Sequence, residues 1–202
     1  LGPRHAGTQI LSRQPRIVGI GGTQRPGSST ELLVKSVLDI CASHGAHTQL
    51  FGGEQLCALP HYDPYSRDRT DEEMRFVEAI RQSDGIVLAS PSYHGGISGL
   101  VKNAIDLLEE LRADERPYFD GRPVGLLVSA AGWQAGGVTL AALRGVIHAM
   151  RGWPTPMGIA INSVEQKPFA ADGSLQDDQI AQQLDAMAKQ LAIGCVGLSK
   201  RH

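Results

Sequence analysis

The stretch Ile17-Val18-Gly19-Ile20-Gly21-Gly22-Thr23-Gln24-Arg25-Pro26-Gly27-Ser28-Ser29-Thr30 constrains this chain more than any other. Its apolar opening reads as a buried strand. Gly, Pro, Ser and Thr break the run, and Glu31 to Leu38 resumes with apolar residues at helical spacing. The segment is therefore a strand, a tight loop and a helix. Ser28, Ser29 and Thr30 are helix N-cap types. The first N–H groups of such a helix have no intrahelical acceptor, and the helix dipole adds partial positive charge there. Together they form an anion site, most often for phosphate. The hydroxyls of Thr23, Ser28, Ser29 and Thr30 and the charge of Arg25 would complete it. The plain alternative is a capped turn that binds nothing.

The details of the loop narrow the ligand. A nucleoside-triphosphate loop requires Gly, four residues, Gly, then Lys and Ser or Thr. Gly22 and Gly27 have this spacing, but Ser28 stands where the lysine must be. A dinucleotide fingerprint, Gly-x-Gly-x-x-Gly, fails at Gln24 when counted from Gly19 and Gly21. The next strand also ends Leu50-Phe51-Gly52-Gly53, without the acidic residue that a ribose requires. What remains is a hydroxyl-rich loop for one terminal monophosphate, such as that of flavin mononucleotide (FMN).

With 202 residues and 42% hydrophobic content, the chain suffices for one domain with a full core. A net charge of −2 gives no reason to expect nucleic acid or an anionic membrane as partner. Apolar runs such as Val124 to Val128 are far too short to span a bilayer. The first fifteen residues carry Arg4, His5 and Arg13 and no apolar block, so they do not read as a secretory signal. Residues 1–15 are expected to be a flexible N-terminal extension, with one domain over 16–198. Cys41, Cys57 and Cys195 include no Cys-x-x-Cys pair. That fits reduced thiols in a cytoplasmic protein and argues against zinc or iron–sulfur sites. The histidines are scattered, so no metal site is expected.

Gly45 closes the first helix, and Ala46 to Phe51 reads as a second strand. Gly52 to Arg69 is a long loop. Thr70 caps a helix with Glu73 at the capping-box position; it runs to about Ser83 and should bury Met74, Val77, Ala79 and Ile80. Ile86 to Ser90 is an uninterrupted apolar strand of the kind covered on both faces. A second glycine-rich loop, Pro91 to Gly99, follows, and Ser98 caps a helix to about Leu111. Val124 to Ser129 is a fourth strand. A third glycine-rich loop, Ala130 to Gly137, precedes a helix from about Val138 to Met150. Met157 to Ile161 is a fifth strand, with Trp153 a structural filler of its approach, and the last helix covers about Leu175 to Ile193.

Strands alternating with helices predict a parallel sheet with helices on both faces. In such sheets ligands bind beyond the carboxyl ends of strands, near the point where strand order reverses. A flavodoxin-like order, 2-1-3-4-5, would bring all three glycine-rich loops to one ligand.

At these residues the chain resembles the NADPH-dependent FMN reductase family of the flavodoxin-like superfamily, over roughly Arg16 to Leu191. Gly22 to Ser28 resembles the family's Gly-Ser-x-Arg-x-x-Ser phosphate loop, with Thr23 in place of the usual Ser. Leu59-Pro60-His61-Tyr62-Asp63 is similar to its Leu-Pro-x-Tyr-Asp segment. Pro91-Ser92-Tyr93-His94-Gly95 stands at its Pro-Glu-Tyr-Asn-Gly loop, where Ser92 and His94 depart from the commonest residues. Gly99-Leu100-Val101-Lys102-Asn103-Ala104-Ile105-Asp106 matches its Gly-x-x-Lys-Asn-Ala-hydrophobic-Asp helix start, and Gly136-Gly137 its pair after the fourth strand.

The resemblance implies a three-layer flavodoxin-like fold and an oxidoreductase that uses FMN and either NADPH or NADH. The chemistry would occur on flavin N5, so no catalytic acid or base is required of the protein. Thr23, Arg25, Ser28, Ser29 and Thr30 would hold the phosphate. Pro91, Ser92, Tyr93, His94 and Gly95 would lie along the ring. Ser129, Gly132, Trp133, Gly136 and Gly137 would flank it, with backbone N–H groups of Gly132, Trp133 and Gly137 facing the edge where negative charge develops. His94 reads more simply as a solvent-facing loop residue, Trp133 as a stacking or interface residue, and Lys102 with Asp106 as a surface ion pair. Candidate activities are reduction of free flavin for a partner monooxygenase, direct reduction of small acceptors such as quinones, azo dyes or metal oxyanions, and one-electron transport like a flavodoxin. Wide apolar stripes (Leu100, Ala104, Leu107, Leu108 and Leu111 on one helix; Leu140, Leu143, Val146, Ile147 and Met150 on the next) suggest a homodimer or homotetramer.

Overall fold

The computed structural model describes residues 13–198. Its strands are β1 (Arg16–Ile20), β2 (His47–Phe51), β3 (Gly85–Tyr93), β4 (Gly96–Ile97), β5 (Pro123–Ala130) and β6 (Trp153–Asn162). Five of them pair in parallel in the order β2-β1-β3-β5-β6, while the two-residue β4 pairs antiparallel with the end of β3. Counted without β4, this is the expected order 2-1-3-4-5, and the architecture is flavodoxin-like. The helices are α1 (Ser29–Ser43), α2 (Gly53–Cys57), α3 (Asp71–Arg81), α4 (Gly99–Leu107, continued by a 3₁₀ turn to Leu111), α5 (Trp133–Ala149) and α6 (Asp178–Leu198).

Alternation along each strand divides the core into two layers. Val18, Ile20, Ile86, Leu88, Leu126 and Val128 face α3, α4 and α5. Ile17, Val87, Ala89, Leu127, Ile159 and Ile161 face α1 and α6. Residues on β3 and β5 are buried on both faces, which explains their unbroken apolar runs. Phe51 and Phe76 meet edge to face at 5.0 Å between ring centroids.

The structure differs from the sequence expectations at four places. First, α2 interrupts the long loop after β2. Second, α5 begins at Trp133, so most of the third glycine-rich loop is helix. The intrinsic cost of glycine in a helix is about 1 kcal/mol. Packing offsets it at Gly136, where an added Cβ would stand 3.3 Å from the Ala160 side chain. Third, Met74 is 53% exposed and Phe76 takes the core position instead. Fourth, Trp153 is half-exposed at the start of β6 rather than filling the interior.

The most buried cation among the described residues was not singled out by its sequence context. Arg122, the residue before β5, is fully buried. Its Nε donates to Ser83 O (3.1 Å), Nη1 to Tyr118 O and Asp120 O (3.0 and 3.3 Å), and Nη2 to Arg81 O (2.8 Å). Two of these carbonyls lie at or just after the C-terminus of α3, where a cation is favoured. Burial pushes the guanidinium down to about 10, still charged at neutral pH. Of the expected extension, residues 1–12 lie outside the described residues. Arg13 pairs with both Asp84 carboxylate oxygens (2.8 and 2.7 Å), and Pro15 O accepts the His47 N–H (2.8 Å).

The three cysteines differ in environment. Burial pushes Cys41 up to about 11 and Cys195 to about 12, from an ordinary 9.0, whereas Cys57 is exposed. Since the thiolate is the nucleophile, a thiol reagent at pH 8 is expected to label Cys57 alone in the native protein and all three cysteines after denaturation. Both buried thiols titrate higher folded than unfolded, so their contribution to stability is full below pH 9 and is lost as pH rises through 11–12. Rapid native labelling of more than one thiol per chain would contradict this.

Candidate active site

The parallel pairing of β1 with β3 places the loops after these strands side by side at their carboxyl ends. Between them is a cavity of about 380 Å³, walled by Gly22, Thr23, Gln24 and Arg25 on one side and Pro91, Tyr93, Ser98, Gly99 and Leu100 on the other. Its size lies within the range of small-molecule sites.

The first wall is shaped by short-range bonds. Thr23 Oγ1 accepts the Arg25 N–H at 3.2 Å and donates to Arg25 O at 3.3 Å, an ST-type turn. Ser28 is the N-cap of α1, its Oγ accepting the Glu31 N–H at 3.3 Å. The N–H groups of Ser29 and Thr30 follow, and among the described residues neither has an acceptor. Behind the loop, Glu31 Oε2 accepts the Gly53 N–H at 2.7 Å. This holds the backbone of Gly53 against Thr23 O so closely that any side chain at Gly53 would collide with that oxygen. The Thr30 side chain is buried, and Arg25 is exposed.

The second wall is a hairpin. Ser92 pairs with Ile97 and Tyr93 with Gly96, leaving His94 and Gly95 as a two-residue turn. Their φ values of +53° and +74° are those of a type I′ turn. Asparagine, the commonest residue at this place in the family that the sequence resembles, suits this conformation, and histidine is among the few others that tolerate it. Ser90 Oγ accepts the Ser98 N–H at 3.0 Å, and Ser98 caps α4 through the Val101 N–H at 3.3 Å. Ser92 Oγ lies 2.7 Å from Thr139 Oγ1 and donates to Ala135 O at 3.2 Å. It therefore fastens the hairpin to α5 instead of lining the cavity.

The third loop stands one strand further on, where Ser129 pairs with Pro91. Gly132 is the extended N-cap of α5, and Trp133, the first helical residue, is 52% exposed. The Gly136 N–H bonds Gly132 O at 3.1 Å. Gly137 follows within the helix, so its N–H serves α5 and is not the ligand donor that its place in a glycine-rich loop suggested. Lys102 and Asp106 form the expected ion pair, at 2.6 Å. Sequence reading missed Glu31 and Gly53 as shapers of the first wall. Their only signal was an acidic residue in a first helical turn and a glycine pair after β2. Among the described residues, no group of three or more His, Cys, Asp and Glu is placed to hold a metal ion.

The profile of NADPH-dependent FMN reductases matches residues 15–166. The chain belongs to this family. An NAD(P)H-dependent FMN reductase of Pseudomonas aeruginosa is 29% identical over 183 residues, spanning 88% of this chain and 95% of the relative. An FMN-dependent NADPH-azoreductase of Staphylococcus aureus is 34% identical over 147 residues, spanning 69% and 72%. An oxidoreductase structure from Corynebacterium diphtheriae superposes with a TM-score of 0.68 at 20% identity, covering 92% of this chain and 99% of that one. This reductase works with FMN and NAD(P)H.

The donor set fits a phosphate: two amides without acceptors at a helix start, a free-standing arginine, and a hydroxyl-shaped loop beside an open cavity. Arg25→Ala is expected to weaken FMN binding by about 1.5–3 kcal/mol, the range for hydrogen bonds to charged groups. Riboflavin, which lacks the phosphate, should lose little. Equal losses in titrations with the two ligands would mean that Arg25 shapes the loop without meeting the phosphate.

Proposed function

We propose that this chain carries electrons from NAD(P)H through FMN to a small-molecule acceptor, with residues 16–198 forming the single FMN-binding domain. The observation that carries this reading is the position of the cavity. It opens to solvent between the phosphate-type loop and the hairpin bearing Tyr93, which is 57% exposed. Donor and acceptor can thus reach the same place in turn. FMN supplies the redox chemistry when bound. The chain's residues hold and orient it: the Ser29 and Thr30 amides and Arg25 at the phosphate, Pro91 and Tyr93 along the ring. The amides of Trp133, Gln134 and Ala135 at the start of α5, without acceptors among the described residues, favour negative charge nearby. The similarity to an azoreductase favours direct reduction of an acceptor over supply of reduced flavin to a monooxygenase. A net charge of −2 is less acidic than a dedicated electron carrier needs for steering. Unpaired cysteines support a cytoplasmic setting.

The test is NADPH and NADH oxidation by the FMN-loaded protein with a quinone, an azo dye or excess free FMN as acceptor. Turnover with the quinone or the dye at catalytic FMN is the expected result. Turnover only with excess free flavin would favour the flavin-supply reading, and bound FMN without NAD(P)H oxidation would favour an electron carrier.

We also propose a homodimer, on a surface centred on the outer face of α5 and taking in only the partly exposed edge of its apolar stripe. Ala104, Leu107, Leu108, Leu111, Leu143 and Ile147 are buried within the subunit, so those stripes serve its own core. The outer face of α5 is what remains: Gly137, Val138, Ala141, Ala142, Gly145 and Ala149 are exposed and uncharged. Beside it a groove of about 310 Å³ runs between α4 and α5, with Ile105, Val146 and Met150 at its base. An exposed apolar face of this kind marks an interaction surface. Light scattering is expected to give twice the chain mass for the native protein and near 21.6 kDa for Ala141→Arg. A native mass of 21.6 kDa would refute the dimer.

A further inference from the structure

Glu31 holds the phosphate-type loop from behind, and it does so with a charge that the bond does not require. Its Oε2 accepts the Gly53 N–H at 2.7 Å. A Cβ added at Gly52 would stand 2.7 Å from the same oxygen, and one added at Gly22 would stand 3.1 Å from it. The carboxylate therefore lies against Gly22, Gly52 and Gly53, and Gly22 lines the cavity. Among the described residues no Lys, Arg or His is within ion-pair distance of Glu31. The adjacent amide supplies the comparison. Gly52 N–H is held in the same way by Gln55 Oε1, at 3.0 Å, with no charge involved. An amide oxygen is thus enough to brace a glycine here.

The charge acts on the start of α1. Glu31 is the third residue of that helix, after Ser29 and Thr30, whose amides have no acceptor among the described residues. A carboxylate in the first turn interacts favourably with the helix dipole. A phosphate at the same end does so too. The two anions share one helix start, separated by a glycine backbone that puts no side chain between them, and they repel each other. Arg25, on the cavity side of the same loop, acts in the opposite sense. Before a ligand arrives, Glu31 supplies negative charge that the helix start favours. Once a phosphate is seated, the same charge opposes it. Bracing and repulsion are separable, because the first needs only an acceptor oxygen and the second needs a charge.

We propose that Glu31 sets the affinity of this loop for monophosphate esters: its acceptor oxygen keeps the loop in its binding shape, while its charge holds FMN loosely enough to exchange. The claim rests on the FMN reading above and deepens it, since FMN becomes a ligand that enters and leaves instead of one locked in place.

Glu31→Gln keeps the acceptor and removes the charge, whereas Glu31→Ala removes both. In fluorescence titrations of the flavin-free protein, Glu31→Gln is expected to bind FMN about three- to tenfold more tightly than wild type, chiefly through slower dissociation. Riboflavin, which lacks the phosphate, should bind the two proteins equally. The gain for FMN should shrink at high salt, which screens charge. Glu31→Ala should bind both flavins more weakly than Glu31→Gln, because Gly53 is no longer held against the back of the loop. Inorganic phosphate gives a readout that needs no flavin: at equal concentration it should raise the melting temperature of Glu31→Gln more than that of wild type. Equal FMN affinity in wild type and Glu31→Gln, equal gains for FMN and riboflavin, or equal phosphate shifts would each overturn the proposal. Absence of FMN binding by wild type, alongside the larger phosphate shift in Glu31→Gln, would instead sink the FMN reading and leave the role of Glu31 at the anion site upheld.

Discussion

A parallel sheet covered on both faces confines polar chemistry to its ends, and this protein is organised around that constraint. β3 and β5 have buried residues on both sides over nearly their whole length. A functional polar group in mid-strand would have to be desolvated against helices, at a cost of roughly 1–3 kcal/mol if unpaired. At the amino ends, Arg122 answers to this by donating only to backbone carbonyls, which ties α3, the loop before β5 and the sheet together. At the carboxyl ends the loops are free to present amides, hydroxyls and aromatic rings.

Those loops are stiffened by contacts that no ligand supplies. Glu31 draws Gly53 onto the back of the phosphate-type loop. Ser90 and Ser98 lock the base of the Tyr93 hairpin, and Ser92 with Thr139 joins it to α5. Asn103 reaches across to the loop after α2, accepting the Tyr62 N–H and donating to Pro60 O, both at 2.8 Å. Each bond is modest alone, but together they set the site's shape before a cofactor arrives, which reduces the ordering cost of binding. The departure from the family pattern at Ser92 is intelligible here: a short hydroxyl fits between Ala135 O and Thr139 Oγ1.

Much of this was legible in the sequence because local rules and tertiary demands agree. Ser28, Thr70 and Ser98 cap the helices expected of them. The β3 and β5 runs are apolar because both faces are covered. Where the two levels disagree, sequence reading failed. The glycines at 136 and 137 read as loop by propensity, yet packing of Gly136 against Ala160 allows helix there. The wide stripe on α4 suggested a subunit interface, but the 3₁₀ turn carries Leu108 and Leu111 into the subunit's own core.

The sequence by itself determined the alternation of strands and helices, the absence of nucleotide-triphosphate and dinucleotide loops, and the phosphate-type character of the first turn. These depend on neighbours in the chain, through hydrophobic period, capping and backbone conformation. Only the tertiary structure decided that Ser92 faces α5, that Glu31 braces Gly53, that Arg122 is buried without a carboxylate, and that Glu165 reaches Trp133. Those pairs lie 22 to 47 residues apart. Their meeting depends on strand order and register, which no local pattern encodes.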